Sequence, residues 1–183
     1  MGAEPWFCGS AEEWLALAER LKQMSCPHCN AVGTLNRHGF LHGFDESNPK
    51  KTVRAWRVFC SNRHARRGCG RTVSVWLADK IRRLSVTTGC LWRFLQRAVT
   101  GSIVAAIRAA DGQRSDRTWQ RLWRRFDLGQ SNIRTALSGL CPPPELPAPA
   151  RPAAQVLAHL QAAFPNVRCP IAAFQQTMRT FFI

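Results

Sequence analysis

Apolar residues recur at helical spacing near the start of the chain. The segment SAEE at 10–13 has the form of a capping box, in which the serine hydroxyl and the last glutamate cap the first turn of a helix. The apolar residues that follow share one helical face, namely Trp14, Leu17, Leu21 and Met24. The pattern predicts an N-terminal amphipathic helix within residues 1–24.

The helical period disappears between residues 26 and 77. Short runs rich in β-branched and aromatic residues, TLNRHGFL, TVRAWRVF and RTVSVWL, are separated by the turn-rich stretch HGFDESNPKK. Runs of this kind predict three or four short strands.

Helical spacing returns after Trp76, in segments joined by Gly, Ser or Asp. They are ADKIRRL, TTGCLWRFLQRAV, SIVAAIRAA, SDRTWQRLWRRF and SNIRTALSGL. We therefore expect a small helical domain over residues 79–140.

Residues 141–152, CPPPELPAPARP, include six prolines and predict an extended linker. Two amphipathic helices are expected beyond it, in a C-terminal module over 153–183. This module either folds back on the helical domain or docks a partner, such as a transposase, a recombinase or a second copy of the chain. The apolar residues expected to dock are Phe164, Phe174, Met178 and Phe181.

Charge changes the picture, since 26 Lys+Arg against 11 Asp+Glu give a formal net charge of +15. Residues 50–125 hold most of this excess, which favours a polyanionic partner. No run is apolar enough to span a membrane, and the first residues lack the features of a signal peptide. We expect a cytoplasmic, nucleoid-associated protein without a membrane partner.

Four of the eight cysteines are spaced like the ligands of one metal ion. Cys26 and Cys29 form a CxxC turn, and Cys60 and Cys69 supply a second, wider pair within residues 25–78. Four thiolates would close one tetrahedral structural Zn²⁺ site, that of a zinc ribbon. His64 could replace Cys69, and scattered buried thiols or an iron–sulfur cluster are the alternatives.

The segment from Asp116 to Phe126 has two chemically distinct helical faces. Trp119, Leu122 and Trp123 lie on the packing face with Phe126, whereas arginines occupy another. With the preceding short helix this order resembles a helix-turn-helix, whose second helix enters the major groove. The arginines expected to contact nucleic acid, in this helix and in the ribbon, are Arg54, Arg57, Arg63, Arg66, Arg67, Arg71, Arg114, Arg117, Arg121, Arg124 and Arg125.

The series CPHC, GTLNRHGF, WRVFC and GCGRT, followed by basic helices, resembles the zinc-ribbon and helix-turn-helix segment of bacterial insertion-sequence transposases and their regulatory proteins. The resemblance covers about residues 24–140. It implies binding to element ends or to an operator, and it does not imply catalysis.

The expected fold is mainly α, with a small β zinc ribbon before a basic helix-turn-helix-like domain. The expected function is double-stranded DNA binding by an accessory or regulatory factor of a mobile element, in transposition or recombination. An RNA-binding or ribonucleoprotein-assembly protein is the alternative, favoured if aromatics such as Trp56 are exposed. We expect no enzyme, because tyrosine does not occur and no DDE triad can be assembled; a zinc nuclease using His64 as base is the less favoured rival.

Overall fold

The computed structural model of the protein describes residues 6–46, 48–63, 67–110, 114–147 and 151–183. Over these ranges the chain forms a four-stranded sheet and six helices, divided into two compact units after Lys80. The fold is therefore mixed α/β, and the expectation of a mainly α protein is wrong. The physical reason is the size of the sheet, whose two longest strands continue through residues with turn-forming side chains.

The first unit contains one helix and the whole sheet. Its elements are β1 (Trp6–Cys8), α1 (Ala11–Glu19), β2 (Leu35–Asp45), β3 (Asn48–Cys60) and β4 (Thr72–Leu77). The strand order is β1-β4-β3-β2, in which β1 runs parallel to β4 and the other neighbours are antiparallel. The consequence is that the first strand of the unit pairs with its last.

Helix α1 begins at the predicted capping box. The backbone N–H of Glu13 donates to the Ser10 hydroxyl over 3.2 Å, and the Glu13 carboxylate accepts from the backbone N–H of Gly9 over 2.7 Å. The helix ends at Glu19, five residues before the predicted end at Met24. The predicted helix is confirmed in its position and shortened at its C-terminus.

The β2–β3 hairpin is longer than the sequence predicts. Its register runs from Leu35 opposite Cys60 to Asp45 opposite Asn48, so most of the stretch HGFDESNPKK is strand. Strand β1 has only three residues, too few to produce a periodic signal. These two features account for the larger sheet.

An aromatic pair joins α1 to the sheet. The rings of Trp14 on α1 and Trp56 on β3 are stacked, with centroids 5.0 Å apart and planes 10° from parallel. Leu35, Val58 and Val75 are buried in the same core. Trp56 is thus half-buried under the helix, which removes it from the exposed aromatics that would favour single strands.

The second unit is helical. Its elements are α2 (Thr88–Thr100), α3 (Ile103–Arg108), α4 (Asp116–Ser138), α5 (Pro152–Ala163) and α6 (Pro170–Met178). The segment ADKIRRL forms no helix, and the segments predicted as separate helices at 115–126 and 131–140 are one continuous helix. Helix α4 continues because Gln130 and Ile133 extend its buried face, and the Gln130 amide donates to Asp127 over 2.8 Å.

Aromatic side chains build the core of this unit. The ring centroids of Phe94 on α2 and Trp119 on α4 lie 4.7 Å apart. Phe126 packs against Phe182 from the C-terminal segment, with ring centroids 6.0 Å apart. Helices α5 and α6 contribute buried residues to this core, including Phe174. None of the helices in the described ranges has the length and apolar character needed to cross a bilayer.

Candidate metal centre and basic surfaces

The loops at one end of the sheet bring the four predicted cysteines together. Cys26 and Cys29 lie in the connection between α1 and β2, Cys60 ends β3, and Cys69 precedes β4. Their four Sγ atoms all lie within 4.8 Å of one another. The four cysteines therefore form a cluster that can hold a metal ion.

The sulfur spacing fits tetrahedral coordination. The Sγ atoms of Cys26 and Cys69 are 3.8 Å apart, and those of Cys29 and Cys60 are 3.7 Å apart. Four sulfurs at about 2.3 Å from a common ion in a tetrahedron are separated by about 3.8 Å. A bonded disulfide would require sulfurs about 2.05 Å apart, so all four remain thiols or thiolates.

Backbone amides support the sulfurs in both halves of the cluster. The N–H of His28 donates to the Sγ of Cys26 over 3.4 Å, and the N–H of Cys69 donates to the Sγ of Cys60 over 3.3 Å. Asn30 adopts a left-handed conformation, with φ of 58°, as the first turn closes. His28 contributes its backbone to the site, and the four-thiol set is complete without its ring.

Glycines allow the wide Cys60–Cys69 loop to return to the four-cysteine cluster. A Cβ at Gly68 would overlap the carbonyl of Ser61 and lie 2.9 Å from the Sγ of Cys60. Gly70 has a φ of +72° and donates its N–H to the Cys60 carbonyl over 2.9 Å. The loop is thus pinned at its two ends; His64 and Arg66 lie outside the described residues.

A residue that the sequence did not single out contacts the cluster. The hydroxyl of Thr34 lies 3.1 Å from the Sγ of Cys60 and 3.2 Å from the carbonyl of Ala31. Burial alone would raise the pKa of Cys60, but the hydrogen bonds from Thr34 and the Cys69 amide lower it to about 7. A threonine directly before a strand carries no recognisable ligand signal, so this contact could be found only in the folded structure.

The two halves of the cluster differ in their electrostatics. Burial raises the pKa of Cys26 to about 12 in the metal-free thiol, and the amides of His28 and Cys29 only partly offset this. A cation at the centre would reverse the effect by stabilising the thiolate. Without a cation the buried half of the cluster therefore favours the neutral thiol.

The other cysteines are not part of this arrangement. Cys8 is buried beside Trp76, whose carbonyl lies 3.6 Å from its Sγ, and burial raises the pKa of Cys8 to about 12. Cys90, Cys141 and Cys169 are half-buried free thiols in the helical unit. None of these other four cysteines belongs to the four-cysteine cluster found among the described residues.

Helix α4 displays its predicted arginines to solvent. Trp119, Leu122 and Phe126 are buried on one side. Arg134 is exposed further along the helix. The four arginines that the sequence predicts as contacts on this helix are also exposed, namely Arg117, Arg121, Arg124 and Arg125. We call these four residues the α4 arginine row. In the part of the chain that the structure describes, no carboxylate is ion-paired with any of them.

Two predicted nucleic-acid contacts have structural partners instead. Arg54 is buried, donates to the carbonyl of Phe44 and forms a 2.8 Å ion pair with Asp45. Arg114 donates to the carbonyl of Ser85 over 3.1 Å. These contacts remove Arg54 from the basic surface, because its guanidinium faces the protein interior.

Asp45 is the centre of this buried polar cluster. Its second oxygen lies 2.8 Å from the ammonium of Lys80, and the Thr52 hydroxyl donates to it over 2.8 Å. Burial opposes ionisation, but hydrogen bonds from Lys80 and Thr52, with the charges of Lys80 and Arg54, hold the pKa of Asp45 below its usual value. The carboxylate therefore stays ionised and locks the distal part of the hairpin to the residues after β4.

The remaining described arginines that were predicted in the first unit are close in sequence to Cys60 and Cys69. Arg63, Arg67 and Arg71 are exposed, whereas Arg57 is half-buried. The guanidinium of Arg63 lies 6.0 Å from the centre of the Phe59 ring. The Cys60–Cys69 loop is thus basic on both sides of its undescribed residues.

The residues predicted to dock a partner belong largely to the helical core. Phe174 is buried, and Phe164 and Met178 are partly buried against the same core. Phe181 is half-buried beneath the guanidinium of Arg82, with 5.7 Å between the guanidinium carbon and the ring centre. The packing corresponds to the fold-back arrangement of the C-terminal module.

Two arginines that the sequence did not single out extend the basic surface of the helical unit. Arg82 and Arg83 line an open pocket of about 220 Å³ with Arg125 and Phe181. Arg83 adopts a left-handed conformation, with φ of 61°, which is costly for a residue other than glycine. In the sequence these two arginines are the doublet RR of ADKIRRL, a segment whose pattern predicts a helix.

Comparison with known proteins yields no significant match to a family model, to a curated protein or to a solved structure.

Proposed function

We propose that this protein binds double-stranded DNA through the α4 arginine row and holds a structural zinc ion in its four-cysteine cluster. The observation that carries the proposal is the exposed row itself, which lies on a helix anchored by a buried aromatic face. Arg117 and Arg125 are separated by about 12 Å along the helix axis. This is a suitable length for contacts with several backbone phosphates, and α4 is the helix that we expect to enter the major groove.

The energetics of the row favour a polyanionic partner. Arg117 and Arg121 are four residues apart, as are Arg121 and Arg125, and like charges at this spacing destabilise a helix by a few tenths of a kcal/mol per pair. In the described residues no ion pair offsets this repulsion. DNA phosphates would offset it and would release counterions on binding.

The pocket formed by Arg82, Arg83 and Arg125 adds to this argument. The three arginines line an open pocket of about 220 Å³, a volume that admits a phosphate group. Guanidinium groups bind phosphate oxygens through paired, charge-assisted hydrogen bonds. We expect this pocket to hold one phosphate beside the row and to fix its register on the duplex.

Zinc is the metal that we propose for the cysteine cluster. A closed set of four thiolates with tetrahedral spacing leaves no position for water or substrate, which is the character of structural rather than catalytic zinc. Its role is to hold together the loops that carry Arg63, Arg67 and Arg71.

The biological setting that we propose is an accessory or regulatory factor of a mobile genetic element. Its support is the resemblance of the cysteine and glycine motifs to those of insertion-sequence transposases. Chromatin immunoprecipitation in the source cell, followed by sequencing, tests this setting. We expect enrichment at the ends of mobile elements. Uniform coverage of the genome would reject the proposed setting.

Duplex binding is tested with a charge-matched pair of triple variants. Arg117→Gln, Arg121→Gln and Arg124→Gln together remove three charges from the row. Arg134→Gln, Arg151→Gln and Arg168→Gln remove three exposed charges elsewhere in the same unit. Fluorescence anisotropy with a 20-base-pair duplex should show at least a tenfold greater loss for the row variant, and equal losses would reject α4 as the DNA-binding helix.

A further inference from the structure

The distal half of the β2–β3 hairpin has one exposed aromatic face. Along β2, residues 40, 42 and 44 are exposed, whereas 41 and 43 are half-buried and Asp45 is buried. Because side chains alternate across a strand, Phe40, His42 and Phe44 lie on one side of the hairpin. We call these three residues, together with Lys51 on β3, the hairpin aromatic face.

Both phenylalanine rings are unusually accessible. Phe40 retains 55% and Phe44 retains 47% of its possible exposure to solvent. Single exposed hydrophobic residues are common, but two on one strand face with a histidine between them form a continuous surface. A surface of this kind needs a partner that offers flat, apolar rings.

Neighbouring side chains hold the rings in place. The His42 ring packs edge-on against Phe40, with centroids 4.7 Å apart and planes at 79°. The ammonium of Lys51 lies 5.7 Å from the centre of the Phe44 ring. Each phenylalanine therefore has a nitrogen-bearing side chain beside it, and the Lys51–Phe44 contact is the pairing of cation and stacking ring found in proteins that bind single strands.

The opposite face of the hairpin is rigid. The side chain of Arg54 crosses Gly43 so closely that a Cβ there would overlap it, and it ends at Asp45. Lys80 binds the same carboxylate. The buried ion cluster thus fixes β2 from behind, so the aromatic face is organised before any partner binds.

Charge identifies the chemistry of the partner. Between residues 35 and 60 the chain has five Lys and Arg residues and two carboxylates. One carboxylate is the buried Asp45, and the other is Glu46 in the turn. An anionic polymer is favoured, and an acidic peptide without rings would leave the phenylalanines uncovered.

We propose that the hairpin aromatic face binds unpaired bases of single-stranded DNA by stacking. Bases inside a duplex are already stacked on both sides and do not offer free faces, whereas unpaired bases do. Phe40 and Phe44 are about 13 Å apart along the strand, so each ring can take a separate base. The choice of DNA over RNA rests on the function proposed above. The inference that the face stacks on unpaired bases is independent of that function.

The test uses the zinc-loaded full chain and four labelled probes. These are a 15-nucleotide oligothymidylate, an abasic strand with the same backbone, an oligouridylate of the same length and a 15-base-pair duplex. The variant is Phe40→Ala with Phe44→Ala. Leu15→Ala and Val32→Ala serve as matched controls, because both residues are exposed aliphatics of the same unit, at 52% and 61%.

The double variant should bind oligothymidylate about 30-fold more weakly than wild type, as expected for the loss of two stacked bases. Its affinities for the abasic strand and the duplex, and its metal content, should be unchanged, and the controls should behave as wild type. An unchanged affinity for oligothymidylate would overturn the proposal, as would equal wild-type affinity for the abasic strand.

Other outcomes identify other occupants. A loss of affinity confined to oligouridylate would show that the face binds RNA rather than DNA. A wild-type dimer that dissociates in the double variant would show that the face binds a second copy of the chain. Failure of the duplex proposal would be seen separately, in the α4 row variant and the duplex probe. The two proposals can therefore fail independently.

Discussion

The hydroxyl of Thr34 lies 3.1 Å from the Sγ of Cys60, and both groups are buried. Thr34 is not a candidate metal ligand, yet its side chain contacts a sulfur of the cluster. The hydroxyl is also within hydrogen-bond distance of the Ala31 carbonyl, and when Cys60 is a thiolate the hydroxyl can donate to the sulfur and fix its orientation. Such partners tune metal affinity without coordinating the ion.

Replacing Thr34 by valine should weaken metal binding by about 10- to 100-fold, because it keeps the shape of the side chain and removes the donor. Thr34→Ser retains the hydroxyl and should stay close to wild type. The measurement is competition for Zn²⁺ with a chromophoric chelator. Equal affinities for the valine and serine variants would show that the hydroxyl has no role.

Gly68→Ala should disturb the second half of the cluster. The new Cβ would overlap the Ser61 carbonyl, so the loop must shift, at a cost of about 1–3 kcal/mol. We expect reduced metal content and a lower thermal midpoint. Gly89→Ala is the control, because the same atom at this helical position meets nothing within 4 Å; similar midpoints for both variants would contradict the prediction.

The Asp45 carboxylate should stabilise the fold in a pH-dependent way. Its folded-state pKa is lowered, so its contribution is complete above the unfolded value of about 4 and is lost as the pH falls through the folded value. Asp45→Asn removes the carboxylate that the buried Arg54 and Lys80 share, although Lys80 keeps its 2.9 Å ion pair with the more exposed Asp79. The substitution should cost up to about 3–5 kcal/mol near neutral pH.

Denaturant unfolding of wild type and Asp45→Asn across pH 6 to 3 tests this prediction. The gap between the two free energies of unfolding should narrow below about pH 4. Metal loss at acidic pH affects both proteins equally. The difference between their free energies of unfolding therefore reports on Asp45 alone. The exposed Glu19→Gln variant should show no comparable gap, and a gap for Asp45→Asn that is constant with pH would contradict the ionic role.

Metal removal should destabilise the first unit selectively. The cluster joins the α1–β2 connection to the ends of β3 and β4, whereas the core of the second unit has no part in it. After chelation, hydrogen exchange should accelerate in β2, β3 and β4 and stay slow in the middle of α4. Equal acceleration in both units would show that the metal stabilises the whole chain.

Removing a single charge from the α4 arginine row should reduce the salt dependence of duplex binding. Arg121→Gln should reduce the slope of log Kobs against log salt concentration by about 0.9, the value for one lost phosphate contact on B-DNA. Arg134→Gln should leave the slope unchanged. A lower affinity with an unchanged slope would mean that Arg121 acts through structure rather than through a phosphate.

Local chemistry made part of the fold predictable. The capping box at Ser10 and Glu13 locates the start of α1, because its hydrogen bonds lie within four residues. The CxxC turn likewise brings two thiols together through local backbone geometry. The spacing of Cys60 and Cys69 at strand ends was enough to group them with the first pair.

Long-range partners explain what the sequence could not reveal. Arg54 looks like a phosphate contact until Asp45 and Lys80 are brought beside it by the sheet. The residues after His42 look like a turn because their side chains favour turns, yet pairing with β3 makes them strand. Phe40 and Phe44 became a candidate surface only when that pairing fixed which face they share.

The parallel pairing of β1 with β4 sets an order on folding during synthesis. Phe7 lies opposite Trp76, so β1 has no partner strand until about 70 further residues have left the ribosome. At typical translation rates that interval is roughly 4–14 s. The β2–β3 hairpin can form first from neighbouring residues, and β1 must then join the edge of β4 as the last strand of the sheet.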